Sequence, residues 1–139
     1  MKVKQNISLK PYNTFGVDVY AKSFISVNSE NELVNILSKE KDIFILSGGS
    51  NMLLTINISE LVVHINIKGI SVKTENDDFI VLTVKAGENW HNLVLWCVGK
   101  NYGGLENLSL IPGSVGTCPI QNIGAYGVEV KDVITKVTA

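Results

Sequence analysis

Apolar and polar positions fall into short blocks of two different periods. Phe24–Val27 (FISV) reads as a short strand. In the following SENELVNILSKE, Leu33, Ile36 and Leu37 share one face at helical spacing, and Ser29 and Glu32 stand three apart as a capping-box pair. Asp42–Leu46 (DIFIL) is a compact apolar run with the look of a buried strand, and SGGSN breaks it. Glu60–Ile67 (ELVVHINI) supplies a third strand. The pattern predicts a strand–helix–strand unit with a glycine-rich loop after its second strand.

A second lobe is expected from Lys68-Gly69 onward. ISVKTE and FIVLTVKA flank the turn sequence NDD and predict an antiparallel hairpin, with Ile80, Leu82 and Val84 on one face. ENWHNLVLWCVGKNYGG then reads as a helix capped by Asn89. Its apolar stripe is Trp90, Leu93, Val94 and Cys97, and Gly103-Gly104 is expected to end it. The final VKDVITKVTA has the composition of a strand getting under way. A β-branched run without a turn or partner suggests an incomplete lobe, so the chain is expected to be the N-terminal piece of a longer protein. The expected organisation is α+β, with one lobe over 1–67 and the start of another over 68–139.

Composition narrows the function classes. The 139 residues are 45% hydrophobic and 18% charged, which suits a packed core and argues against disorder. A formal net charge of −1, with no clustered Lys/Arg face, argues against nucleic-acid binding. Cys97 and Cys118 form no C-x-x-C pair, and His64 and His91 are far apart, so no metal site is expected. The polar start MKVKQNISLKPYNTFG does not resemble a signal peptide, and no apolar run approaches the ~18 residues of a membrane span. These features predict a soluble, cytoplasmic protein with reduced thiols and no membrane partner.

Two stretches carry candidate chemistry. In ILSGGSNMLL, Ser47, Gly48, Gly49, Ser50 and Asn51 follow a strand directly. Glycines let backbone N–H groups converge on one point, and Ser and Asn add neutral donors, a combination suited to a phosphate or pyrophosphate. The stretch has neither the G-x-G-x-x-G spacing nor the lysine of a P-loop, and a plain turn between strands is the alternative. The second stretch, LENLSLIPGSVGTCPIQNIGAYG, carries no charge between Glu106 and Glu129. Its glycines, hydroxyls and amides can present neutral donors to a flavin and hold an anion by backbone dipoles. A long surface loop is the alternative, but such loops in compact domains are uncommon without a function. Cys118 has no nearby histidine and reads as a packed thiol rather than a nucleophile. His91 reads as a capping or packing residue, Glu88 and Glu106 as groups orienting backbone, and Tyr102 and Tyr126 as core or rim residues.

Together, KPYNTFGV, GGSN, AGENWHNLV and GLENLSLIPGSVGTCPIQNIGAYGVE resemble the MurB family of UDP-N-acetylenolpyruvoylglucosamine reductases, and do so in order over nearly the whole chain. The resemblance implies an FAD-binding fold of the vanillyl-alcohol-oxidase type, built of two α+β lobes with the cofactor between them. It implies that Ser47, Gly48, Gly49, Ser50 and Asn51 meet the FAD pyrophosphate. It further implies that Pro112, Gly113, Ser114, Thr117, Cys118, Ile120 and Gly124 line pyrophosphate and flavin. Asn13 and Thr14 match the family's N-terminal motif without an assigned contact. The family passes hydride from NADPH through FAD to UDP-N-acetylglucosamine enolpyruvate, in peptidoglycan precursor synthesis.

The chain also departs from the family. The resemblance places the catalytic serine, arginine and glutamate, and the whole substrate-binding domain, beyond Ala139. No catalytic residue is therefore expected within these residues. The chain alone is expected to be inactive and to self-associate through uncovered apolar surface. Ser47 stands where relatives often carry glycine. The alternatives are a stand-alone FAD or nucleotide-binding module without turnover, and a nucleotide-binding domain of unrelated chemistry.

Overall fold

The computed structural model describes residues 2–139, which divide into two compact units, one running to Lys68 and one starting at Gly69. The first unit is a four-stranded sheet with one helix. Its elements are β1 (Lys4–Ser8), β2 (Tyr20–Val27), α1 (Glu30–Leu37), β3 (Ile43–Leu46) and β4 (Ile58–Ile65), and the strand order is β1-β2-β4-β3. β1 pairs antiparallel with β2, whereas β2, β4 and β3 run parallel. Strand alternation sorts the apolar side chains onto two faces. Phe24, Leu46 and Val62 pack with Leu9 and Leu54 on one face, and Ile25, Val27 and Val63 pack with Ile36 of α1 on the other.

Local signals account for α1. The Ser29 hydroxyl accepts the Glu32 amide at 3.2 Å, and the Glu32 carboxylate takes the Asn28 amide at 2.7 Å, one residue before the cap. Three expectations change here. β2 starts at Tyr20 rather than Phe24. β3 is a sheet edge and not a fully buried strand, with Ile45 46% exposed. β1 was not foreseen at all, because Lys4, Gln5 and Asn6 are exposed and leave no apolar alternation.

The second unit opens with the hairpin β5 (Ile70–Glu75) and β6 (Ile80–Val84), joined antiparallel with a register shift between Val72 and Thr74. The Asn76 side chain accepts the amides of Asp78 and Phe79, each at 2.9 Å, and so closes the turn. α2 (Trp90–Gly99) buries Trp90, Leu93, Val94 and Cys97 against Leu108, Cys118, Ile123 and Val130. Asn89 caps it by accepting the Asn92 amide at 3.0 Å.

α2 does not reach Gly103-Gly104. Asn101 adopts the left-handed conformation with φ +60°, while Asn101 N–H donates to Val98 and Tyr102 N–H donates to Cys97. That is a Schellman closure with asparagine in the place usually taken by glycine. β7 (Gly124–Ala125) and β8 (Val128–Glu129) form a minimal hairpin whose two central residues, Tyr126 and Gly127, both have positive φ. The last residues are not the start of a strand. Glu129 and Asp132 form a reciprocal capping box around the 3₁₀ turn Val130–Asp132, and no regular element follows it. Among the described residues no helix is long and apolar enough to cross a membrane, and no cluster of His, Cys, Asp or Glu could hold a metal ion.

Candidate functional site

The glycine loop of the first unit leaves the end of β3 directly. Gly49 is buried and left-handed, with φ +58°. A Cβ there would collide with the Tyr12 carbonyl oxygen and lie 2.9 Å from Asn13 Cα, so glycine is required by space as well as by torsion. The Thr14 amide donates to the Gly49 carbonyl at 3.1 Å and fixes the loop's back side. Gly48, Gly49 and Ser50 donate their own amides to no carbonyl among the described residues. The Ser47 hydroxyl is buried in the same loop without a hydrogen-bond partner among those residues. Buried polar atoms are rarely left so, and an orphaned donor beside a glycine nest is the arrangement a bound anion completes.

Residues 9–17 hold this loop from behind. Asn13 is buried, and its side-chain amide donates to the Leu9 and Val17 carbonyls at 2.8 and 3.0 Å while its oxygen accepts the Val17 amide at 3.0 Å. The Tyr12 ring meets Phe24 and His64 at centroid separations of 4.9 and 5.0 Å. His64 lies 3.1 Å from the Ser26 hydroxyl, and burial, with a smaller contribution from Lys68, holds its pKa below the ordinary histidine value. Sequence reasoning left Asn13 and Thr14 without a contact. The motif NTFG was the available signal, and its meaning is tertiary.

In the second unit, residues 108–116 wrap the first turn of α2 and the strand end before it. The Trp90 indole donates to the Leu108 carbonyl at 2.8 Å, and the Trp90 amide donates to Gly113 at 3.0 Å. Ser114 makes a β-bridge with Asn89. Val115 and Gly116 donate to the carbonyls of Glu88 and Ala86 at 2.8 and 2.9 Å. The Thr117 hydroxyl turns back onto the Ser114 carbonyl at 2.8 Å. Gly116, not singled out from the sequence, sits 2.9 Å from Ala86 Cα if given a Cβ.

The remaining nominated residues separate into exposed and buried groups. Pro112 and Ile120 are exposed, Ile120 by 81%, and Gly113 has φ +121°. Gly124 opens β7 and could carry no Cβ, because one would lie 2.9 Å from the Val128 carbonyl oxygen. Cys118 is buried in the α2 core, and that burial pushes its thiol up to about 11. Tyr126 is 90% exposed and so is not a core residue. Glu88 and Glu106 orient backbone as expected, accepting the amides of Gly69 and Gly104 at 2.7 and 2.6 Å. No lysine or arginine stands among the nominated residues, so an anion here would meet amide and hydroxyl dipoles.

Comparison with known proteins gives the family of the chain. The model of the FAD binding domain family matches residues 21–139. A UDP-N-acetylenolpyruvoylglucosamine reductase from Flavobacterium johnsoniae is 55% identical over 141 residues, covering 100% of this chain and 42% of that protein. Another from Shewanella sediminis is 56% identical over 137 residues, covering 96% of this chain and 40% of that one. The crystal structure of the MurB reductase from Thermus caldophilus superposes with a TM-score of 0.73 at 28% identity, over 95% of this chain and 46% of that chain. The chain spans about two fifths of the length of the curated relatives named here. It belongs to the family of FAD binding domains, in the form found in UDP-N-acetylenolpyruvoylglucosamine reductases.

Proposed function

We propose that this chain is the FAD-binding portion of a UDP-N-acetylenolpyruvoylglucosamine reductase, with residues up to 67 as the first cofactor lobe and residues from 68 as the start of the second. The observation that carries the reading is the Gly49 nest with the orphaned Ser47 hydroxyl beside it. Ser47, Gly48, Gly49, Ser50 and Asn51 would hold the pyrophosphate. Pro112, Gly113, Ser114, Thr117, Ile120 and Gly124 would line pyrophosphate and flavin. Cys118 acts from the core, fixing the loop's position rather than touching a reacting atom. When bound, FAD would take hydride from NADPH and deliver it to the enolpyruvyl group of the UDP-sugar substrate. The residues of this chain would bind and orient the cofactor. Absence of clustered basic residues supports a small-molecule rather than a nucleic-acid partner, and the peptidoglycan role implies the cytoplasm. Exposed Leu95, Val98, Leu110 and Ile120 support self-association of the 139-residue chain.

The test is FAD binding followed by desalting and an absorbance spectrum, on the protein as its gene encodes it, with NADPH-dependent turnover assayed beside it. Bound flavin with turnover is expected. A folded protein that takes up no flavin would overturn the reading, and flavin without turnover would leave a binding module instead.

A further inference from the structure

We propose that His91 is a positioning residue for the cofactor segment, its neutral imidazole holding Leu110 in the left-handed conformation from which Pro112, Gly113 and Ser114 are presented. The proposal rests on the reading that this segment contacts FAD. Leu110 has φ +64°. Asparagine tolerates such torsions through its short polar side chain, and Asn6, Asn101 and Asn122 do so in this chain. Leucine has no such relief. Nor does packing hold it, since the Leu110 side chain is 77% exposed.

The hold comes from α2. The Leu110 amide donates to His91 Nδ1 at 3.2 Å, and the Ser109 hydroxyl reaches the same nitrogen at 3.2 Å. An Nδ1 that accepts an amide must be unprotonated, so the ring is neutral with its proton on Nε2. The neighbouring Trp90 fixes the chain on both sides, at Leu108 and at Gly113. His91 therefore sets the one turn between two anchored points. Without it the strain at Leu110, worth about tenfold in an equilibrium, is free to relax and carry Pro112 with it.

The experiment compares wild type, His91→Ala, His91→Asn and His91→Ala/Leu110→Gly in the protein as encoded. The readouts are FAD affinity by flavin fluorescence and hydrogen exchange of the residue-110 amide. His91→Ala should bind FAD about tenfold more weakly, and the Leu110 amide should exchange faster. His91→Asn should recover most of the affinity, because its Oδ1 can stand where Nδ1 stood. The double variant should also recover, because glycine takes a positive φ without strain. Unchanged affinity in His91→Ala would overturn the proposal, as would loss in all three variants alike. Failure of wild type to bind FAD would instead remove the cofactor reading. The amide exchange of His91→Ala and His91→Asn would then still decide whether His91 holds Leu110.

Discussion

Gly116 donates its amide to the Ala86 carbonyl at 2.9 Å, and a Cβ on Gly116 would lie 2.6 Å from the Ala86 methyl carbon. The segment and the end of the hairpin are thus in backbone contact. Gly116→Ala should destabilise the protein by about 1–3 kcal/mol. Ala86→Gly should relieve only part of this, since the Ala86 Cα and carbonyl remain within 3.0 Å. Denaturant midpoints of the two single variants and the double check it; an unaffected Gly116→Ala would mean that the close approach is absent in solution.

Gly49→Asp should abolish flavin binding. The side chain would enter the space of the Tyr12 carbonyl, force φ +58° on a residue with a Cβ, and place a negative charge in the proposed pyrophosphate nest. Gly49→Ala separates the two effects, carrying the strain without the charge. Normal flavin content in purified Gly49→Asp would refute the assignment of this loop.

Asn13→Ala should cost about 2–4 kcal/mol, because three buried or half-buried hydrogen bonds to Leu9 and Val17 go and the Val17 amide and carbonyl lose their partner, while the Leu9 carbonyl keeps the Tyr12 amide. The loss should be visible as a lower thermal midpoint without FAD.

His64 makes stability depend on pH. Its folded pKa lies below its unfolded value, chiefly through burial and secondarily through Lys68. The unfolded chain therefore binds the proton first as pH falls. Stability is complete above the ordinary histidine pKa near 6.5, declines as pH falls through it, and levels off below the folded value. His64→Gln should remove that component of the decline. Chemical denaturation between pH 5 and 8 measures it, and identical pH profiles for wild type and variant would count against it.

Cys118 should be inert in the folded state. With its thiol pushed up to about 11 and its side chain buried, almost no thiolate exists near neutrality. Iodoacetamide at pH 8 should label it only after denaturant is added, as read by mass spectrometry of the peptide. Rapid labelling of native protein would show that the segment opens readily.

The strongly periodic elements were legible in the sequence. All four residues of the Trp90–Cys97 stripe are buried, and the β5–β6 hairpin forms around its expected turn. What was illegible is held by backbone or by distant partners. β1 carries polar side chains and is defined by its ladder with β2. The end of α2 depends on an asparagine doing what glycine does, so Gly103-Gly104 was a false stop. The glycine loops were visible as candidates, but their reasons were not. Gly49 answers to Tyr12 and Gly116 to Ala86, both far away along the chain. His91 looked like a capping or packing residue, and only the turn folded against it shows which backbone it holds.

The strand order β1-β2-β4-β3 has a consequence for synthesis. β4 is made last in the first unit yet lies between β2 and β3. While the chain is growing, β3 has no neighbouring strand to hydrogen-bond until β4 has been made, so the Ser47–Asn51 loop hangs from an unpaired end. Parallel pairing across such a separation is a slow, late event in folding. On the proposed cofactor reading, the Ser47–Asn51 loop would take up its place for flavin only after the last strand of the first unit has slotted into the gap.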